Sequence, residues 1–189
     1  MSSSLMYSLA LFFHILAAFG LIAAITLEAV SQRGLRQAAT AETARTAMRA
    51  MDLVPPLGAG SAALILVTGI YMMATAWGLQ GWIVIALAGL ILNALAGALI
   101  TRSRMLRLQP VLAAGGSLSE QAQLALRDPV LLASLRLRLA VLLGILFLMT
   151  VKPSAIVSLS IIVLAAAIGV ASALIPARRQ RHELRHQNG

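Results

Sequence analysis

His14 is the first residue of this chain whose type and position could support chemistry. It lies inside an apolar run, residues 5–27, that contains no Asp, Glu, Lys or Arg. An ionisable side chain inside such a run is costly in lipid and suggests a function, and a neutral imidazole can ligate haem iron or copper. Its helix-face neighbours form a groove of mostly small residues, which leaves room for a flat cofactor or for another helix: Ala10, Leu11, Ala17 and Ala18. The structural alternative is a neutral histidine that bonds a backbone carbonyl.

Lys152 is the only lysine of the chain and the second candidate. It stands at the end of an apolar run, where a lysine can act as an interfacial cation whose ammonium group reaches the headgroups. The alternative is an amine that binds an anion or, once deprotonated, ligates a metal.

Methionine sulfur atoms form the third candidate group, because soft thioethers suit Cu(I). Four methionines fall near the same helix ends as Lys152: Met6, Met72, Met73 and Met149. Together with His14, the last three predict a copper site as an alternative to haem. Methionine is also common filler in apolar helices, so core packing is the competing interpretation.

A zinc-protease pattern, HExxH, occupies residues 182–186. The pattern acts on a helix inside a catalytic domain that supplies a third ligand and a substrate cleft. Here it lies in an arginine-rich tail. We therefore expect His182 and His186 to bind metal ions adventitiously rather than to support proteolysis.

The composition indicates a membrane protein. Of the 189 residues, 60% are hydrophobic and 11% are charged, an apolar share that a soluble domain of this size could not bury. The chain has no cysteine, which excludes disulfides, thiolate catalysis, iron–sulfur clusters and cysteine-bound zinc. The formal net charge of +9 indicates membrane topology rather than nucleic-acid binding, because the arginines flank apolar runs.

The apolar runs predict an all-α fold, a single integral membrane domain of five transmembrane helices with up-and-down topology. The predicted helices cover residues 5–27, 54–76, 81–101, 129–151 and 155–175, and a basic tail covers 177–189. A hairpin turn is expected at 77–82, where two tryptophans flank two glycines. Asp128 followed by Pro129 predicts the start of the fourth helix.

Charged residues are predicted at helix ends rather than inside the bundle. Glu28 follows the first helix, and Arg136 and Arg138 lie in early turns of the fourth, where they are expected to reach the headgroups. A helix break is expected at Gly34, and the Ser-x-x-Glu spacing at 117–120 predicts a short surface helix. Because paired carboxylates are absent from the spans, a proton-relay pump is not expected.

The arginines predict the orientation. The chain has 15 Lys and Arg residues, and all except Lys152 are arginines. If five helices begin outside the membrane, every arginine falls inside and Lys152 falls outside. This bias predicts an N-out, C-in protein that passes several times through a bacterial cytoplasmic membrane.

Small residues recur every four positions on two predicted helices. Gly89, Asn93, Gly97 and Thr101 share one face of the third helix, and Ala165, Gly169 and Ala173 share a face of the fifth. Small residues at this spacing let helices approach closely in lipid. We expect both stripes to serve bundle packing, with Asn93 as an interhelical hydrogen-bonding group.

Three sequence stretches carry a family resemblance: FHI at 13–15, TGIYMM at 68–73 with its two following Trp-Gly pairs, and FLMTVKP at 147–153. Together they resemble a family of small bacterial "predicted integral membrane proteins". That family is similar to the copper-resistance-D membrane domain and to the membrane-embedded, haem-associated protoporphyrinogen oxidases. The resemblance implies His14 and Lys152 as a haem-contacting pair. The oxidases also carry charged residues inside the bundle, where this sequence predicts none.

Three functions follow as hypotheses. The first is a protein that binds haem b or another porphyrin through His14 and Lys152 in a redox role. The second is a copper-handling protein that uses His14 with Met72, Met73 and Met149. The third is a non-catalytic membrane subunit that binds a membrane-protein partner or a second copy of itself through its small-residue stripes.

Overall fold

The computed structural model describes residues 2–113, 123 and 125–187. Seven α-helices lie wholly within these residues: α1 (Ser2–Gln37), α2 (Ala41–Met51), α3 (Val54–Met72), α4 (Gly81–Leu95), α5 (Arg102–Ala113), α6 (Pro129–Val151) and α7 (Ala155–Gln187). Two π-helical segments, Met73–Trp77 and Ala96–Thr101, extend α3 and join α4 to α5.

Five stretches of the described residues are long and apolar enough to cross a membrane: Ser4–Gln37, Ala41–Trp77, Gly81–Leu108, Pro129–Val151 and Ala155–Ala173. The protein is thus an all-α, multi-pass membrane bundle, as the sequence predicts. Helix α1 packs mainly on α3, α6 packs on α7, and α4 packs on both α6 and α7. The central core holds large aliphatic side chains, such as Ile25, Leu90 and Leu148.

The helix starts agree with the sequence prediction better than the ends do. The Asp128 side chain caps α6 by accepting a hydrogen bond from the amide of Val130 at 2.8 Å. Gly78, with φ +65°, forms the hairpin turn before α4. Lys152, with φ 53°, ends α6 in the left-handed region.

Helix α1 is longer than predicted. It was expected to end at residue 27 and to break at Gly34, but it continues without interruption to Gln37. Glu28, Ser31, Gln32 and Leu35 are all buried in this extension. The helix continues after the apolar run has ended because its polar face packs inside the protein.

Two other predicted helix ends are also wrong. The third span was expected to stop at residue 101, but α5 follows the π segment directly. The fifth helix was expected to stop at 175, near the end of the membrane-spanning stretch at Ala173, but α7 itself continues to Gln187. The helix predicted from the Ser-x-x-Glu spacing at 117–120 lies outside the described residues.

The two ends of the bundle differ in chemistry. At the tryptophan end (Tyr7, Trp77, Trp82 and Lys152), the Trp77 indole donates a hydrogen bond to Tyr7 Oη at 3.1 Å. At the arginine end (Arg36, Arg104 and Asp128), Arg104 forms an ion pair with Asp128, and Arg36 donates to the carbonyl of Asp128 at 3.3 Å. These contacts connect the end of α1 and the start of α5 to the start of α6.

Both small-residue stripes pack within the chain. A Cβ at Gly89 would lie 3.3 Å from Ile145, and one at Gly169 would lie 2.8 Å from the Cα of Leu137. Both contacts are with α6. The predicted packing role is confirmed, because both stripes lie against α6.

Candidate functional site

His14 is held against α3 by the Thr68 side chain and by the backbone of Ile65. Its Nδ1 lies 2.9 Å from Oγ1 of Thr68. The same hydroxyl donates its proton to the carbonyl of Leu64 at 2.6 Å. Because a hydroxyl has one proton to donate, Thr68 must accept from His14, and this bond assigns the imidazole proton to Nδ1. The lone pair of the neutral ring therefore resides on Nε2.

The surroundings of the ring are small and apolar. A Cβ at Gly69 would lie 3.4 Å from Cε1 of His14, so this glycine lets α3 approach the imidazole closely. One helical turn away, a groove of about 530 Å³ lies between α1 and α3 and is lined in part by Ala17, Gly20 and Gly60. Its volume is within the range of small-molecule sites.

Lys152 lies at the tryptophan end, where its Nζ is 3.9 Å from the centroid of the Trp77 ring. Trp77 also makes an edge contact with Trp82 at 6.0 Å and bonds Tyr7. Tyr7 lies about two helical turns before His14 on α1. The structure thus connects Lys152 with the helix that carries His14 through a tryptophan and a tyrosine.

The three methionines of the copper hypothesis have different surroundings. Met72 is buried and lies one turn beyond Thr68 on α3. Met73 begins the π segment, and Met149 packs against the central core. Among the described residues, no group of three or more His, Cys, Asp or Glu side chains could hold a metal ion. The side chains of His182 and His186 lie outside those described.

A second polar site lies inside the bundle, where none was predicted. Nη1 of Arg138 on α6 donates to Oε2 of Glu28 on α1 at 2.5 Å, and its Nε donates to Oδ1 of Asn93 on α4 at 3.2 Å. Glu28 is fully buried. Arg138 therefore does not reach the headgroups, because it bonds a carboxylate that is buried inside the bundle. The expected hydrogen-bonding role of Asn93 is confirmed.

Arg136 also bonds within the protein. Its guanidinium donates a hydrogen bond to the carbonyl of Ser172 on α7. Ser172 lies at the end of the last membrane-spanning stretch, and Arg136 is partly exposed. That Arg136 reaches the headgroups therefore stays a prediction.

Further polar groups surround Glu28. Its Oε1 accepts from Nε2 of Gln32 at 3.2 Å and from Oγ1 of Thr101 at 3.4 Å. The Thr101 hydroxyl lies 3.1 Å from that of Ser134. With the bond from Arg138, three hydrogen bonds fix the orientation of this buried carboxylate.

Two buried polar side-chain atoms beside this network have no partner among the described residues. They are Oγ of Ser31 and Oε1 of Gln32. Unpaired buried polar atoms are uncommon and commonly mark a site for an ordered water or ligand. The site around Glu28 therefore has hydrogen-bonding capacity left.

Sequence reasoning missed Glu28 and Arg138 because they are 110 residues apart. A signal was nevertheless present. Glu28, Ser31 and Gln32 recur at the helical period, which indicates one polar face that continues α1. Asn93 and Thr101 form a matching polar stripe on the third span.

Comparison with protein-family models, with curated proteins and with solved structures finds no match for this chain.

Proposed function

We propose that this membrane protein binds haem b through Nε2 of His14 and takes part in electron transfer. One observation carries the proposal. Thr68 accepts from Nδ1 of His14 at 2.9 Å, so the ring presents Nε2 as an unprotonated ligand. Histidines that ligate metals commonly donate their other ring proton in this way, which fixes both tautomer and orientation.

The residues around His14 fit a flat, largely apolar cofactor. Gly69 on α3 lies next to the imidazole, and Ala17 lines the apolar groove one helical turn away. The chain offers no cysteine, so a histidine is the natural axial ligand here. Bound haem would supply one-electron chemistry, and His14 would hold it.

Lys152 has a separate role in this proposal. Its ammonium group lies over Trp77 at the tryptophan end of the bundle. Trp77 bonds Tyr7, which belongs to the same helix as His14. A cation there is suited to the acidic side chains of a porphyrin held at His14. We expect Lys152→Gln to lower haem occupancy without changing the ligand-dependent position of the absorption bands.

Copper is the second candidate function, and Met72 favours it. This thioether is buried one turn beyond Thr68, the hydrogen-bond partner of His14. A site of His14 and Met72, extended by Met73 or Met149, would suit Cu(I). Copper bound at one equivalent in haem-free protein, and lost in Met72→Leu, would favour this function over haem.

The experiment is a visible absorption spectrum of the detergent-purified protein, oxidised and then reduced with dithionite. We expect a Soret band and sharp reduced bands. The chain has three histidines, so the matched control is the variant with His182→Ala and His186→Ala, which should keep the bands while His14→Ala loses them. A flat spectrum from haem-replete cells would contradict haem binding, and bands lost in the tail variant alone would assign them to the tail.

A further inference from the structure

A cleft on the side of the bundle reaches the buried ion pair. Its volume is about 410 Å³, and it lies between the α4 span, α6 and α7. Among the residues that line it, Asn93 and Arg138 are polar and the others are apolar. Leu92 and Leu99 at the cleft are 61% and 68% exposed. Since they belong to a membrane-spanning segment, the cleft opens towards lipid.

The hydrogen bonds of Arg138 involve two of its three nitrogen atoms. Its Nη1 bonds Glu28 and its Nε bonds Asn93, whereas Nη2 has no hydrogen-bond partner among the described residues. A Cβ at Gly97 would lie 3.2 Å from Nη2. This glycine, in the π-helical segment, therefore leaves the space that the guanidinium needs.

Charge balance limits the class of ligand. Glu28 already neutralises Arg138, so a bound carboxylate or phosphate would add an uncompensated negative charge in an apolar cleft. A neutral group with a strong acceptor, such as a ring carbonyl, would satisfy Nη2 without that cost. The cleft is therefore suited to a neutral ligand.

The depth of Arg138 in the membrane limits the class of ligand further. Arg138 lies nine residues after Pro129 on α6, which corresponds to about 13 Å along the helix axis. The hydrocarbon layer is about 30 Å thick, so the free donor lies well inside it. The ester carbonyls of a phospholipid stay close to the headgroups. A lipid whose polar ring can enter the hydrocarbon reaches this depth.

We propose that this cleft binds a quinone-type lipid. A ring carbonyl accepts a hydrogen bond from Nη2 of Arg138, beside Asn93, and the apolar tail leaves the cleft into the bilayer. The proposal does not depend on haem binding at His14, which lies against α3 in a different part of the bundle.

Photolabelling tests this site directly. The full-length protein in phosphatidylcholine nanodiscs is irradiated with an azido-ubiquinone, and the labelled peptides are mapped. We expect label on peptides covering 92–100, 137–141 or 162–166, with about tenfold less label when decylubiquinone is in excess. The variant Ala166→Phe fills the cleft and should reduce labelling by about tenfold.

The matched control is Ala167→Phe, next in sequence, exposed and outside the cleft. It should label like the unmodified protein, and so should His14→Ala, which separates this site from the haem proposal. Equal labelling of Ala166→Phe and Ala167→Phe would overturn the quinone site. Label at other peptides, or competition by oleate as strong as that by decylubiquinone, would also overturn it.

Discussion

Thr68 on α3 accepts a hydrogen bond from Nδ1 of His14 on α1 at 2.9 Å. The Thr68 hydroxyl in turn donates to the carbonyl of Leu64, so the direction of the whole chain of bonds is fixed. A histidine inside an apolar helix thereby gains a defined tautomer, with the lone pair of the neutral ring on Nε2.

Removing the Thr68 hydroxyl tests this relationship. Thr68→Val keeps the side-chain shape but removes the acceptor for Nδ1, so we expect haem affinity to fall by about 10–100-fold. Haem titration of apoprotein measures the change. The control is Thr75→Val, since Thr75 is exposed and bonds its own helix carbonyl, Tyr71, at 2.8 Å. Equal haem affinities in the two variants would contradict the positioning role of Thr68.

The pair Glu28 and Arg138 should be strongly coupled in stability. Glu28→Leu or Arg138→Met alone leaves an unpaired buried charge and should cost about 3–5 kcal/mol of unfolding free energy. The double variant should cost less than the sum, because no charge is then left without a partner. Unfolding in mixed micelles with increasing SDS measures the cycle.

The ion pair of Arg104 and Asp128 provides the comparison for that cycle. The Arg104 side chain is 38% exposed, so its coupling should be about 1 kcal/mol or less. If the costs in unfolding free energy of the Glu28 and Arg138 variants are additive, the two side chains do not form a buried ion pair.

Most of the fold could be predicted from the sequence. The lengths of the apolar runs give the number of spans, and Asp128 with Pro129 gives the start of α6. The ends of α1 and α7 could not be predicted in this way. Hydropathy indicates which part of a helix contacts lipid, not where the helix ends. Helix α1 continues to Gln37 because its polar face packs inside the protein.

The candidate sites were predicted only in part. His14 stands out because its neighbours in the sequence are apolar, so composition alone identifies it. Its partner Thr68 is 54 residues away and belongs to another helix. Glu28 and Arg138 each resemble an interfacial charge when taken singly. Their pairing depends on how α1 packs against α6, which local sequence does not encode.

Close packing of α7 on α6 should be sensitive to a single methyl group. A Cβ at Gly169 would lie 2.8 Å from the Cα of Leu137 and 2.9 Å from the carbonyl oxygen of Arg136. Since backbone atoms cannot move aside easily, Gly169→Ala should cost about 1–3 kcal/mol in SDS unfolding.

Gly60→Ala is the control for this substitution, because a Cβ there meets nothing within 4 Å. It should be neutral or stabilising, as alanine favours the helix by about 1 kcal/mol. If both substitutions have the same effect, the packing of α7 differs from that described.

Orientation follows from the distribution of arginine and can be tested without purification. Reporter fusions after Gly116 and after Asn188 should both show a cytoplasmic location, and a fusion after Leu79 should show the opposite side. The physical reason is that Lys and Arg flanking a span are retained inside. A periplasmic signal at Gly116 or Asn188 would reverse the proposed N-out, C-in arrangement.

Ligation of haem by His14 is the central claim, and chemical rescue tests it most directly. His14→Gly removes the imidazole and leaves a space beside Gly69, so the reduced spectrum should lose its sharp bands. Added imidazole should restore them, while the same addition to Thr75→Val should change nothing. A His14→Gly protein that keeps the native bands without imidazole would show that His14 does not ligate the haem.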